Sequence, residues 1–173
     1  LLKMMTNSAK ARSEAAMMAF KHFEAAYNLS TAMGQDSMIG YLAKAAFEAG
    51  KPEEAGKYAK RMLSNNVRGW NYGNNIHHGN LILGRIALIG DDIELAKKHL
   101  ISAGNTPGSP QLNSFGPNMT LAKELLQKGE QDAVLEYFNL CAEFWNGDRG
   151  KLDRWAEIVK EGKIPGFGSN LNY

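Results

Sequence analysis

A leucine, then a small residue, then a base occurs at three evenly separated places: Leu42-Ala43-Lys44, Leu83-Gly84-Arg85 and Leu121-Ala122-Lys123. The separations are 41 and 38 residues. Twelve or thirteen places after each leucine stands another small residue, namely Ala55, Ala96 or Ala133. A period of this length is the mark of a supersecondary unit that covers its apolar face only by stacking on its neighbours. Small residues fall where two backbones approach closely, because a larger side chain there would push the helices apart. Few folds other than stacked helical hairpins satisfy both constraints.

The text between the landmarks agrees. Residues 9–28 place Ala15, Met18, Ala19, Phe23, Ala26 and Tyr27 at three- and four-residue steps, which predicts an amphipathic helix. A first hairpin is expected over 37–64, its two helices (37–49 and 52–64) divided by Gly50-Lys51-Pro52-Glu53-Glu54, where glycine suits a helix end and proline with two acids a helix start. A second spans 77–103, divided at Gly90-Asp91-Asp92, with Asp91 and Glu94 spaced as a capping box. The third, 117–145, opens at Pro117 and breaks at Gly129-Glu130. A last helix over 151–161 ends at Gly162, and the tail from Ile164 mixes helix breakers with apolar anchors. No stretch shows the period-two alternation of a strand.

This arrangement resembles the tetratricopeptide repeat family over residues 37–145, with Gly50 and Ala55 at the family's spacing and 19–29 like the second helix of a preceding repeat. The family's first-helix aromatic is replaced by Ala46, Ala87 and Leu125, and the repeats exceed the usual length. The resemblance implies a single all-α domain over 1–173, a divergent right-handed superhelix of antiparallel hairpins. It also implies that Lys44, Arg85 and Lys123 face the concave groove, where equivalent residues of the family grip extended peptides. Apart from the resemblance, stacking places equivalent residues in a row, and a row of like charges repels itself unless an anion or an acidic neighbour compensates. The groove therefore favours an acidic ligand, unless acids such as Glu48 or Glu124 pair with the bases and leave a solvated face.

Two connections exceed the roughly 2–8 residues that helix pairs need. They are 65–75, with Trp70 and Tyr72, and 104–116, with Phe115; aromatic content predicts ordered insertions. With the starts of the following helices they make loops 65–80 and 104–118, whose Asn74, Asn75, Asn80, Gln111, Asn113 and Asn118 either line a polar pocket beside Trp70 and Tyr72 or satisfy their own backbone. His77-His78 is the most enzyme-like pair, yet neighbouring helical residues point about 100° apart and cannot easily share a metal.

Composition excludes several classes. With 44% hydrophobic and 22% charged residues the chain is too apolar to stay unfolded. A net charge of +2 is too small and dispersed for a nucleic-acid face. Cys141, the only cysteine, closes no intrachain disulfide and begins no cysteine zinc site; a buried, inert thiol is expected. No apolar run reaches the about 20 residues of a membrane span. Phosphate-loop, nucleophile-elbow, dinucleotide and His-Glu-x-x-His signatures are absent, so no cofactor is implied. Opening without Met is expected of a processed product or a fragment, and six of eight methionines fall in the first 38 residues, as a core or a lost-neighbour interface would require. The triplets Asn28-Leu29-Ser30 and Asn118-Met119-Thr120 match a glycan acceptor pattern that chance often produces.

The first reading is thus a non-enzymatic module that binds an extended peptide or acidic protein segment through Lys44, Arg85 and Lys123, with Trp70 and Tyr72 as apolar anchors and His78, Asn80, Asn113 and Asn118 as polar contacts. The rivals are an enzyme or small-ligand receptor with its site in the two loops, and a structural segment of a larger repeat protein. Compartment and oligomeric state are left open by the sequence.

Overall fold

The computed structural model describes residues 2–65 and 69–172, with side chains from Lys10 onward inside the first helix. Its described residues are all-helical, without a strand. They form two compact units, Leu1–Ser64 and Asn65–Tyr173.

The first unit holds α1 (Leu2–Leu29), α2 (Ala32–Glu48) and α3 (Pro52–Ser64), with α2 packed on both others. The Thr31 hydroxyl caps α2 by accepting from the Gly34 N–H at 3.4 Å, so this helix starts five residues before the expected 37. It ends where Gly50 turns left-handed (φ +71°), and the Gly50 and Lys51 N–H groups donate to the Phe47 and Ala46 carbonyls. Those bonds satisfy carbonyls the helix end would otherwise orphan. Leu42, Ala43, Ala55 and Ala59 are wholly buried, which fits the landmark leucine and the crossing-point alanine. Each buried aliphatic side chain of leucine size contributes about 1.5–3 kcal/mol.

The second unit holds α4 (Tyr72–Ile89), α5 (Ile93–Gly104), α6 (Pro110–Phe115), α7 (Thr120–Gln127), α8 (Gln131–Ala142) and α9 (Lys151–Lys160), followed by a 3-10 turn over Gly168–Leu171. Helices α4 with α5 and α7 with α8 pair as hairpins; α4 also meets α7, and α5 meets α8. Landmarks lie at these contacts. Ala96 and Leu121 are wholly buried, and a Cβ added at Gly84 would stand 2.4 Å from Leu121 Cδ2. Around them Leu100, Leu125, Val134, Tyr137 and Phe138 complete one core.

Several expected boundaries are corrected. Helix α4 begins at Tyr72 and not at 77, because its polar first turn is held by the second loop: the Thr106 hydroxyl donates to the Gly73 carbonyl at 3.0 Å. There the two backbones touch so closely that a Cβ on Gly73 would fall 1.8 Å from the Gly108 carbonyl oxygen. The cap of α5 is Asp92, which accepts from the Leu95 N–H at 3.0 Å, while Asp91 sits in the left-handed turn (φ 58°) and makes no capping box. The stretch 104–116 contains α6, capped by Ser109. Helix α7 starts at Thr120 rather than Pro117, since the Asn118 Oδ1 accepts from the Thr120 N–H at 2.8 Å in a turn that precedes it. Helix α8 stops at Ala142, and Phe144 and Trp145 are buried from the turn beyond.

The tail lies back on the unit. Phe167 is buried with its ring 5.0 Å from Trp155 and 6.2 Å from Phe138. Asn170 donates from Nδ2 to the Phe115 and Pro117 carbonyls, at 3.2 and 2.9 Å, and its own carbonyl accepts from the Met119 N–H at 2.7 Å. An apolar ring and one amide together dock the tail on α8, α9 and the 115–119 segment.

Candidate functional site

Of the three aligned bases, Arg85 and Lys123 fall in the second unit on the adjoining helices α4 and α7. Arg85 Nε donates to both oxygens of Glu124, at 2.9 and 3.0 Å, and Nη2 reaches Oε1 at 2.8 Å. Both side chains are about three quarters covered, at 25% and 30% exposure, so water screens this forked pair less than an ordinary surface one. The pair joins the first helices of successive hairpins. Lys123, next to Glu124 in the chain and half-buried, makes no ion pair among the described residues. Lys44 lies in the first unit, with Nζ 4.0 Å from Glu48 one turn along α2. Acidic neighbours thus stand beside two of the three bases.

The polar residues of the loops bind each other. Asn74 donates to Asn71 and Gln111 and accepts from the Ser109 hydroxyl at 2.6 Å, which ties the first turn of α4 to α6. Asn80 is buried, its amide donating to the Ile76 carbonyl and its Oδ1 facing His99 Nδ1 at 2.9 Å. Burial holds the His99 imidazole below the usual histidine range. Asn113 is exposed and accepts from the Asn146 N–H. Asn118 is buried, so the second of the two glycan-like triplets has its amide inside the fold. Trp70 is 63% exposed and Tyr72 half-buried beside it in the chain. Of the residues expected to share a site, Trp70 and Asn113 are exposed, Tyr72 and His78 half-buried, and Asn80 and Asn118 buried.

His77 and His78 differ sharply. His77 is wholly buried, with Nδ1 3.0 Å from the Ala103 carbonyl and Nε2 3.1 Å from the Asn118 backbone N–H. A carbonyl only accepts and an amide N–H only donates, so the ring is neutral with its proton on Nδ1. The Asn118 carbonyl in turn accepts from the Tyr137 hydroxyl at 2.9 Å, and the Tyr137 ring stacks on the imidazole. One side chain of α4 thereby fastens α5, the 116–119 segment and α8. Burial, then the neighbouring His78, push the His77 imidazole down to about 3. Protonation would cost it the Asn118 bond. Half-buried His78 meets the His77 ring edge-on at 5.0 Å.

Cys141 is fully buried and burial pushes its thiol up, away from the reactive thiolate. Among the described residues no three His, Cys, Asp or Glu side chains gather to hold a metal ion, and no helix is long and apolar enough to cross a membrane. A shallow polar depression of about 230 Å³ lies between Lys97 and residues 129–133, where Lys97 is taken up by Glu94 and Glu130 at 2.7 and 3.0 Å.

Sequence reasoning anticipated Glu124 as a partner for a base of the row, but missed Asn118 as a joint and Asn170 as its support. Both are ordinary loop asparagines to a reader of sequence; only the polar-apolar mixture of the tail signalled that it would dock. Searches against family models, curated proteins and solved structures find no match to this chain.

Proposed function

We propose that this chain is a non-enzymatic binding module of tetratricopeptide-like build, and that the face of its first helices takes an extended, acidic segment of a protein partner. The observation that carries the proposal is the side-by-side packing of α4 and α7, with equivalent positions Arg85 and Lys123 on neighbouring helices and the Arg85–Glu124 fork across the seam. Side-by-side first helices are how stacked repeats build a continuous binding face. The fork holds Arg85 in a fixed pose, and two cations against one carboxylate leave that face with positive charge. Lys44 stands at the equivalent position of α2 in the first unit, beside Glu48. Trp70 supplies an exposed apolar ring for anchoring.

Calorimetric titration of the full chain with a panel of extended peptides, each rich in Glu and Asp and ending in a free carboxylate, tests the reading. Affinity is expected to fall as salt rises. Lys123→Glu, a partly exposed change off the core, is expected to weaken binding by about tenfold, equivalent to about 1.4 kcal/mol, with helicity unchanged. Equal affinity for acidic and neutral peptides, or no effect of Lys123→Glu, would count against it.

A further inference from the structure

The turn between α8 and α9 carries the chain's one Asn-Gly pair, Asn146-Gly147. Every other asparagine precedes a residue with a side chain, which crowds the following amide nitrogen. Both members of the pair are exposed. The Asn146 side chain makes no hydrogen bond within the described residues, and neither does the Gly147 N–H; only the Asn146 backbone N–H is held, by Asn113 Oδ1 at 3.1 Å. The carboxamide and the nitrogen that would attack it are therefore adjacent, solvated and unoccupied. Contrast Asn80, Asn118 and Asn170, whose amides lie buried in the fold.

We propose that Asn146 is a site of spontaneous modification, converted to isoaspartate and aspartate in the folded protein. The Gly147 nitrogen bonds to the Asn146 Cγ and gives up its proton, while the Cγ–Nδ2 bond breaks and ammonia leaves. Water then opens the five-membered imide. Attack at the backbone carbonyl leaves the chain running through Cγ as isoaspartate, and attack at Cγ leaves aspartate. One amide and one water become one carboxylate and one ammonium, with no oxidant or enzyme involved. Glycine is the residue that least hinders the ring closure, since it lacks a Cβ.

The turn makes the change consequential. On one side Trp145 is buried, 5.9 Å from Trp155 and beneath the Lys151 ammonium at 5.3 Å. On the other, the Asp148 carboxylate accepts from the Gly150 and Leu152 N–H groups and fixes the start of α9. Isoaspartate adds one backbone methylene between two anchored points and so shifts the Trp145 ring against Trp155. Tryptophan fluorescence reports it.

Incubation of the full chain at neutral and mildly alkaline pH, followed by trypsin and mass spectrometry, tests the proposal. The 129–149 peptide is expected to gain the mass of an amide-to-acid exchange, faster at higher pH, and to accept methyl groups from an isoaspartyl methyltransferase. Gly147→Ala adds a Cβ that meets nothing closer than the Asn113 carbonyl at 3.4 Å, so the fold tolerates it; the gain should drop severalfold. A gain seen only after unfolding in urea, a gain at a different asparagine instead, or an undiminished rate in Gly147→Ala would each overturn the assignment.

Discussion

His77→Phe is expected to lower the stability of the second unit by about 2–6 kcal/mol at pH 7, because it takes the imidazole away from the buried Ala103 carbonyl and Asn118 N–H, each loss costing about 1–3 kcal/mol. Phenylalanine keeps the ring and its stacking on Tyr137, so the loss reads the two hydrogen bonds. The variant has a second signature. In the unfolded chain His77 titrates at the ordinary histidine value of 6.5, whereas in the fold it is held at about 3. Below pH 6.5 the unfolded state binds a proton that the native state refuses, so stability falls as pH falls, continuing down to about pH 3. By pH 5 this one group removes about 2 kcal/mol. His99, also depressed by burial, pulls in the same direction. Urea unfolding at pH 7 and pH 5 should show the wild type losing stability over that interval and His77→Phe losing much less. An equal loss in both proteins would show that the acid sensitivity arises elsewhere.

Phe167→Ala is expected to cost about 3–5 kcal/mol, the usual range for deleting a buried aromatic ring. Its ring packs edge-on against Trp155 and Phe138, while the other large apolar side chains of the tail, Ile164 and Leu171, are exposed and half-buried. Asn170→Ala removes the donor to the Phe115 and Pro117 carbonyls and is expected to cost about 1–3 kcal/mol. The two sites secure one short segment, so the double variant should lose less than the sum of the singles. Denaturant midpoints give the energies, and Trp155 emission should shift toward longer wavelength as water reaches it. A Phe167→Ala protein of wild-type stability would mean that the tail contributes little to closing the core.

Much of the architecture was legible because packing leaves regular marks on sequence. Leu42, Leu121 and the alanines 43, 55, 96 and 122, all landmarks of the repeat, are fully covered, whereas the middle landmark leucine, Leu83, is only half-buried. Turn chemistry was legible too: Gly50, Gly129 and Gly162 end helices with positive φ as glycines at those places should. The first turn of α4 was not legible. Tyr72-Gly73-Asn74-Asn75 has the composition of a loop, and it is helical because Ser109, Gln111 and Thr106, more than thirty residues away, bind it. Local propensity yields to tertiary contacts of this kind. For the same reason Asp91 and Asp92 could not be ranked as caps from spacing, since the choice depends on which of them adopts the left-handed turn.

Around Arg85 the sequence shows the equivalent bases but not the network that holds them. Sequence offers Arg85 and Lys123 as equivalents, and α4 and α7 do adjoin, but the fork to Glu124 depends on a sideways register that periodicity does not encode. His77 shows the opposite failure. A histidine pair beside an asparagine-rich loop suggests chemistry, whereas the buried ring has both nitrogens committed to backbone groups and serves to join helices.

Whether equivalent helices truly lie side by side is tested most directly by a charge-reversal cycle on Arg85 and Glu124, with unfolding free energies measured for Arg85→Glu, Glu124→Arg and both together. Each single change places like charges across the seam and should destabilise the second unit; the double restores opposite charges and should recover most of the loss, with a coupling of about 1–2 kcal/mol for a partly covered forked pair. Strictly additive losses would mean that the two side chains do not meet and that the stacked face does not exist as described.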